Sequence, residues 1–214
     1  QENNLFFCID ACEAHGAEYN NLPISAWADA AIYSFYPAHI MTVGGESGMI
    51  CTHDDELADL CRSIKSHGRP ARSIKHEFLY IGTNAKPTEI SAACGLSALE
   101  NFNDNFIRRR KVRDGQLARL KEFPLDLYPD AREEIIAPHA FPVCLWDASL
   151  RESFCEHLDE WQIEYKDLWG SLTNHEAYQE FRVPRKTFPV AEDIGSRGVH
   201  WGCHERLTDD DLDY

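Results

Sequence analysis

Apolar residues in the first hundred positions come in short runs separated by turns. Leu5-Phe6-Phe7-Cys8-Ile9 is unbroken, as expected of a strand buried on both faces of a parallel sheet. Ala30-Ala31-Ile32-Tyr33-Ser34-Phe35 and Gly48-Met49-Ile50-Cys51-Thr52 read as two further strands. A short helix is expected around residues 11–15, with a turn at Asn20-Asn21. The period then lengthens. Asp54-Asp55-Glu56 sets acids in the first turn of a helix reaching about Ser66, and His67-Gly68-Arg69-Pro70 ends it. Thr88 is placed to cap a helix with Ile90, Ala93, Cys94, Leu96, Leu99 and Phe102 on its apolar positions. That helix continues, or bends and restarts, as far as Phe123. After Pro124, residues 140–146 read as a strand, 150–161 as a helix and Gly170 as a loop.

Alternating strands and helices predict an α/β fold. The expected organisation is a partial large domain over residues 1–110, a linking helix over 111–123, and a small α+β domain over 124–214. A strand so near residue 1 needs neighbours and a crossover helix. The chain is therefore expected to be the later part of a longer protein.

Composition narrows the function classes. The 214 residues are 43% hydrophobic and 11% aromatic, enough for a packed core. A net charge of −15 argues against nucleic acid as a partner, because phosphates repel such a surface. Arg108-Arg109-Arg110-Lys111 is the one dense basic cluster and reads as a solvated helix face. No apolar stretch approaches a transmembrane length, and no signal peptide is recognisable. Eight scattered cysteines suit a reduced, cytoplasmic chain better than a disulfide scaffold.

Single residues carry little. Asp10 ends a strand, where α/β sheets bind ligands, and an aspartate there is a ligand partner or a helix cap. Ser34 ends the next strand, where a hydroxyl serves a phosphate or only a loop. His39 lies between that strand and Gly44-Gly45-Glu46-Ser47-Gly48, as a structural histidine or a reactive one. Cys8, Cys12 and His15, like His200, Cys203 and His204, resemble metal groups, but their spacing fits no strong zinc signature. No metal is expected.

Together the pieces are specific. Asp10, Ser34-Phe35-Tyr36-Pro37-Ala38-His39, the glycine turn, Ser66-His67-Gly68-Arg69, Thr83-Asn84-Ala85-Lys86-Pro87-Thr88-Glu89 and the end at Leu207–Tyr214 resemble the sugar aminotransferase family of pyridoxal-phosphate enzymes, with the type I fold. That implies the carboxyl-terminal part of its large mixed-sheet domain plus a small α+β domain. It also implies that Asp10 pairs with the cofactor's pyridine nitrogen, that Ser34 and Asn84 serve its phosphate, Asn84 reaching a partner subunit's cofactor, and that Glu13 contacts the cofactor too. His67 and Arg69 are then the substrate-binding candidates.

Where that family carries its Schiff-base lysine, five residues after the serine, this chain has His39. The wording resembles the nucleotide-sugar 3-dehydratase branch, which includes GDP-4-keto-6-deoxy-D-mannose 3-dehydratase. One part of that branch holds an iron–sulfur cluster on four cysteines. Cys12 matches the first, but Pro70-Ala71-Arg72-Ser73 stands where later ones belong, so no cluster is expected. Imidazole has no primary amine and cannot hold the cofactor covalently. With an ordinary pKa of about 6.5 it suits a general base. The resemblance thus implies bound pyridoxal or pyridoxamine phosphate, a 4-keto nucleotide sugar that loses its C3 hydroxyl, L-glutamate as amino donor, and a homodimer. A non-catalytic relative that binds cofactor or sugar nucleotide, an aminotransferase relative and a plain structural fragment are the alternatives.

Overall fold

The computed structural model describes residues 4–70, 76–181 and 188–214. It divides into two compact units, residues 1–107 with 130–137, and residues 108–129 with 138–214.

The first unit is built on a three-stranded mixed sheet in the order β1-β4-β5. β1 is Cys8–Asp10, and the short strands β2 (Glu18–Tyr19) and β3 (Leu22–Pro23) follow. β4 is Ala30–Ser34, and β5 is Gly48–Thr52. β1 runs parallel to β4, with Asp10 opposite Ile32. β5 returns antiparallel, with Ser34 opposite Gly48. That last pairing needs a glycine, since a Cβ on Gly48 would lie 2.8 Å from the Tyr33 carbonyl oxygen. The sheet buries Ala30 and Ala31. The first apolar run departs from expectation. The strand begins only at Cys8, and Leu5, Phe6 and Phe7 are 77%, 63% and 53% exposed. β1 has one neighbour among the described strands, so an edge position replaces the expected burial.

No helix forms over residues 11–15. Two successive turns, Ala14 N–H to Ala11 O and Ala17 N–H to Ala14 O, take its place. Gly16, at φ +82°, breaks the run before a helix can propagate. The Asn20-Asn21 turn is present, with both residues at positive φ. α1 (Asp55–Ile64) is capped by the Asp54 side chain, which accepts from the Leu57 N–H. α2 (Glu89–Glu100) is capped by Thr88. Asn101 interrupts the helix, and α3 (Phe102–Leu120) restarts at once.

In the second unit, β6 (Leu125–Asp126), β8 (Ala140–Leu145), β10 (Gly198–Gly202) and β9 (Tyr165–Asp167) form a four-stranded antiparallel sheet in that order. The intervening β7 (Glu134–Ile135) pairs with β2 in the first unit. α4 (Arg151–Glu160) and α5 (Pro189–Arg197) complete the layer, and α6 (Asp209–Asp213) ends the chain. The core is Val112, Phe141, Val143, Cys155, Val199 and Cys203, with Leu117, Leu120, Trp201 and Leu212 packed around it.

α3 corrects the reading of the basic cluster at one position: Arg108 and Lys111 are exposed, but Arg109 is buried. Arg109, Val112, Arg113 and Gln116 are its buried positions, spaced i, i+3, i+4 and i+7 as one helix face requires. Arg109 donates to the Cys203 carbonyl at 3.0 Å and meets Glu205 across 3.0 Å. The second contact is a close ion pair without hydrogen-bond alignment. Arg113 donates to the Tyr128 carbonyl. These cations are structural.

Candidate functional site

The sheet order sets the site. β1 and β4 run parallel as neighbours, so Asp10 and Ser34 end up at the same, carboxyl edge of the sheet. The chain past Ser34 then folds back. The Tyr36 N–H donates to Ser34 Oγ at 3.2 Å, and the His39 N–H donates to the Tyr36 carbonyl at 2.9 Å. His39 Nδ1 reaches the Ser34 carbonyl at 3.1 Å. Phe35 holds the base of this loop, donating to the Ser47 carbonyl and accepting from the Val43 N–H. The five-residue spacing therefore returns the imidazole to the strand end it left.

Four expected residues come together. His39 lies near enough to Asp10 to favour its anion, and its Nε2 is 3.9 Å from Glu13 Oε1. The Asp10 carboxyl is held below the usual carboxylate range, first by the Cys12 thiol, then by the Cys12 N–H at 3.1 Å, with His39 a smaller cause. The same contact pushes the Cys12 thiol up to about 11, so at neutral pH the pair is a thiol donating to a carboxylate. Ser34 Oγ accepts a backbone N–H, which leaves its own hydrogen to donate. The imidazole itself is 12% exposed. Its ring meets Tyr36 edge-on at 5.7 Å and His15 at 6.5 Å.

Asn84 is placed by different means. The end of α1 pins its segment through His67 N–H to Thr83 O, Thr83 N–H to Ile64 O and Ala85 N–H to Lys65 O. Ser66 and Asn84 form an isolated bridge. Asn84 lines a cavity of about 1220 Å³ with Ser34, Cys12, Glu46, Lys65 and Lys86. Asp10, Glu13, His39, His67 and Arg69 do not line it. His67 sits at φ +65°, and the Arg69 guanidinium lies over the Phe78 ring at 5.4 Å.

Two residues at the site escaped sequence reasoning. Cys12 stood out only as a metal candidate, yet it is the donor to Asp10. His15 is buried against Tyr33 and Phe35, behind His39. Only the proximity of both to Asp10 in the sequence could have pointed to them. Among the described residues no group of three or more His, Cys, Asp or Glu side chains could hold a metal ion. Residues 71–73, part of the segment on which the iron–sulfur reading turned, lie outside the described residues. No helix among the described residues is long and apolar enough to cross a membrane.

The arrangement fits a phosphorylated pyridine cofactor. An ionised carboxylate suits a protonated ring nitrogen, a donating hydroxyl at the neighbouring strand end suits a phosphate, and an imidazole lies within reach of the carboxylate.

GDP-perosamine synthase of Escherichia coli O157:H7 is 27% identical over 215 residues, covering 100% of this chain and 57% of the relative. The dTDP-4-dehydro-2,6-dideoxy-D-glucose 3-dehydratase of Saccharopolyspora spinosa is 28% identical over 249 residues, covering 100% of this chain and 52% of that protein. The chain thus spans about half the length of these curated relatives. A solved aminotransferase of Brucella abortus superposes with a TM-score of 0.89 at 25% identity, covering 99% of this chain and 56% of that one. The DegT/DnrJ/EryC1/StrS aminotransferase family matches over residues 1–214, and the chain belongs to that family.

Proposed function

We propose that this chain carries the catalytic residues of a nucleotide-sugar 3-dehydratase, which removes the C3 hydroxyl of a 4-keto-6-deoxy nucleotide sugar. The observation that carries the reading is His39 in the place of an amine, held by Ser34 and within electrostatic reach of Asp10. Pyridoxamine phosphate, when bound, supplies the amine that condenses with the 4-keto group and the ring that accepts electrons as the hydroxyl departs. Asp10 holds the ring nitrogen protonated. Ser34 and Asn84 hold the phosphate, Asn84 across a homodimer interface, and Glu13 lies beside the ring. His39 takes a proton from carbon as general base. His67 and Arg69 contact the sugar nucleotide. L-Glutamate returns the cofactor to its amine form, no iron–sulfur cluster takes part, and the reaction takes place in the cytoplasm.

The similarity to a Saccharopolyspora spinosa 3-dehydratase supports this reading. The similarity to GDP-perosamine synthase favours a second, a nucleotide-sugar aminotransferase. Residue 39 separates them, because without an amine there the cofactor is never held covalently between turnovers.

The test is an assay of purified protein with pyridoxal phosphate, L-glutamate and a panel of 4-keto-6-deoxy nucleotide sugars. A 3-deoxy product from one of them is the expected result. An amino sugar that retains its C3 hydroxyl would establish the aminotransferase instead.

A further inference from the structure

The contact between His39 and the Ser34 carbonyl fixes more than the position of the ring. A carbonyl oxygen only accepts, so the nitrogen facing it must carry the hydrogen. Nδ1 is that nitrogen, at 3.1 Å. The neutral imidazole is then the Nδ1–H tautomer, and its one basic lone pair is on Nε2. Nε2 faces Glu13, whose Oε1 is 3.9 Å away. Neighbouring rings restrict the alternatives. His15, itself only 6% exposed, lies 6.5 Å from the His39 ring, and Tyr36 meets that ring edge-on.

We infer that Nε2 is the working nitrogen of His39 and that Glu13 is the positioning carboxylate that receives the charge it gains. The inference rests on the dehydratase reading for its chemistry and on the two contacts for its geometry. In the forward step a C–H bond breaks, its electron pair stays on carbon, and the proton forms an N–H bond at Nε2. The imidazolium so formed lies one short ionic distance from the Glu13 carboxylate. The pair left on carbon then shifts through the conjugated system into a C3–C4 double bond as the C3–O bond breaks with its pair on oxygen, and the same proton leaves Nε2 for that hydroxyl, giving water and restoring the neutral ring. Glu13 thereby acts toward His39 in addition to its expected place beside the cofactor. It is 63% exposed, so solvent weakens but does not abolish the attraction.

Two measurements test this. The first is nitrogen-15 NMR of histidine-labelled protein without cofactor. Neutral His39 should carry hydrogen on Nδ1 and a bare Nε2, and Glu13→Gln should move the Nε2 resonance more than the Nδ1 resonance. An Nε2–H tautomer, or a Glu13→Gln effect confined to Nδ1, overturns the inference.

The second is steady-state kinetics. Opposite charges at such a distance are worth on the order of one power of ten, so Glu13→Gln should lower kcat roughly tenfold with little change in KM. Glu13→Asp should keep part of the lost rate. A Glu13→Gln protein with full kcat and weakened cofactor retention assigns Glu13 to the cofactor alone and refutes the role toward His39. Both NMR results in a protein that dehydrates no sugar would count against the proposed reaction, with the side-chain geometry upheld.

Discussion

His39 Nδ1 lies 3.1 Å from the carbonyl oxygen of Ser34, the residue that ends β4. One strand end thus presents a hydroxyl and, through the carbonyl of the same residue, orients the imidazole. Placing both on one residue ties the position of the imidazole to the sheet rather than to a mobile loop.

Replacing the imidazole should separate binding from chemistry. His39→Asn keeps a side chain of similar reach without a base. Cofactor binding, followed by absorbance after gel filtration, should persist, while dehydration falls by roughly two to four powers of ten. An unchanged rate would assign the base to another residue.

His39→Lys restores an amine five residues after Ser34. Pyridoxal phosphate should then resist dialysis and become fixed by borohydride, with the label on the peptide containing residue 39. The unaltered chain treated the same way should release all of its cofactor.

Acid should dissolve the Asp10 arrangement in a defined window. Its folded pKa lies below the ordinary value of 3.8, chiefly through the Cys12 thiol and N–H. A depressed carboxyl contributes stability above its unfolded pKa and loses it as pH falls through the lower, folded value. The Asp10 side-chain carbon resonance should therefore titrate below pH 3.8. Cys12→Ala removes the leading cause, so the midpoint should rise toward 3.8. A midpoint that stays put would mean that the thiol is not the principal donor.

Gly48→Ala should damage the fold beside the site. The added Cβ would lie 2.8 Å from the Tyr33 carbonyl oxygen, a backbone atom that moves only with its strand. A loss of about 1–3 kcal/mol in denaturant melting is expected, typical of overpacking. Gly45→Ala, where a Cβ meets no atom within 4 Å, should be far milder.

Arg109→Met removes a buried cation and leaves Glu205 facing the Cys203 end of the second unit without its partner. Breaking a buried pair on one side costs about 3 kcal/mol, less here because Glu205 is 22% exposed. Glu205→Gln in the same background should recover part of the loss in thermal melting. No recovery would place the cost in the carbonyl contacts of Arg109 instead.

Local signals were legible where one physical cause dominates. Strand β5 was readable from its apolar run, the start of α1 from its acids and the cap of α2 from Thr88. Each rests on contacts within a few residues. The fold class followed from the alternation of elements, and the family from the set of motifs around Asp10, Ser34, His39 and Asn84. The histidine five residues after Ser34 stood in the sequence alone, since the identity of a functional group needs no coordinates.

Burial was another matter, because it depends on what lies alongside. Leu5, Phe6 and Phe7 form the most apolar run of the early chain, yet they are exposed at an edge of the described sheet. Arg109 read as solvated yet joins Val112, Arg113 and Gln116 on the buried face of α3, because backbone carbonyls accept from its guanidinium and Glu205 lies across a close ion pair. The site divides the same way. Sequence supplied the residue types, and the parallel pairing of β1 with β4 brought Asp10 and Ser34 to one edge. Only the return of the chain from Ser34 to His39 decided which imidazole nitrogen faces the carbonyl and which faces Glu13. Hydrogen-bond direction is a property of atoms in space, and no spacing of letters encodes it.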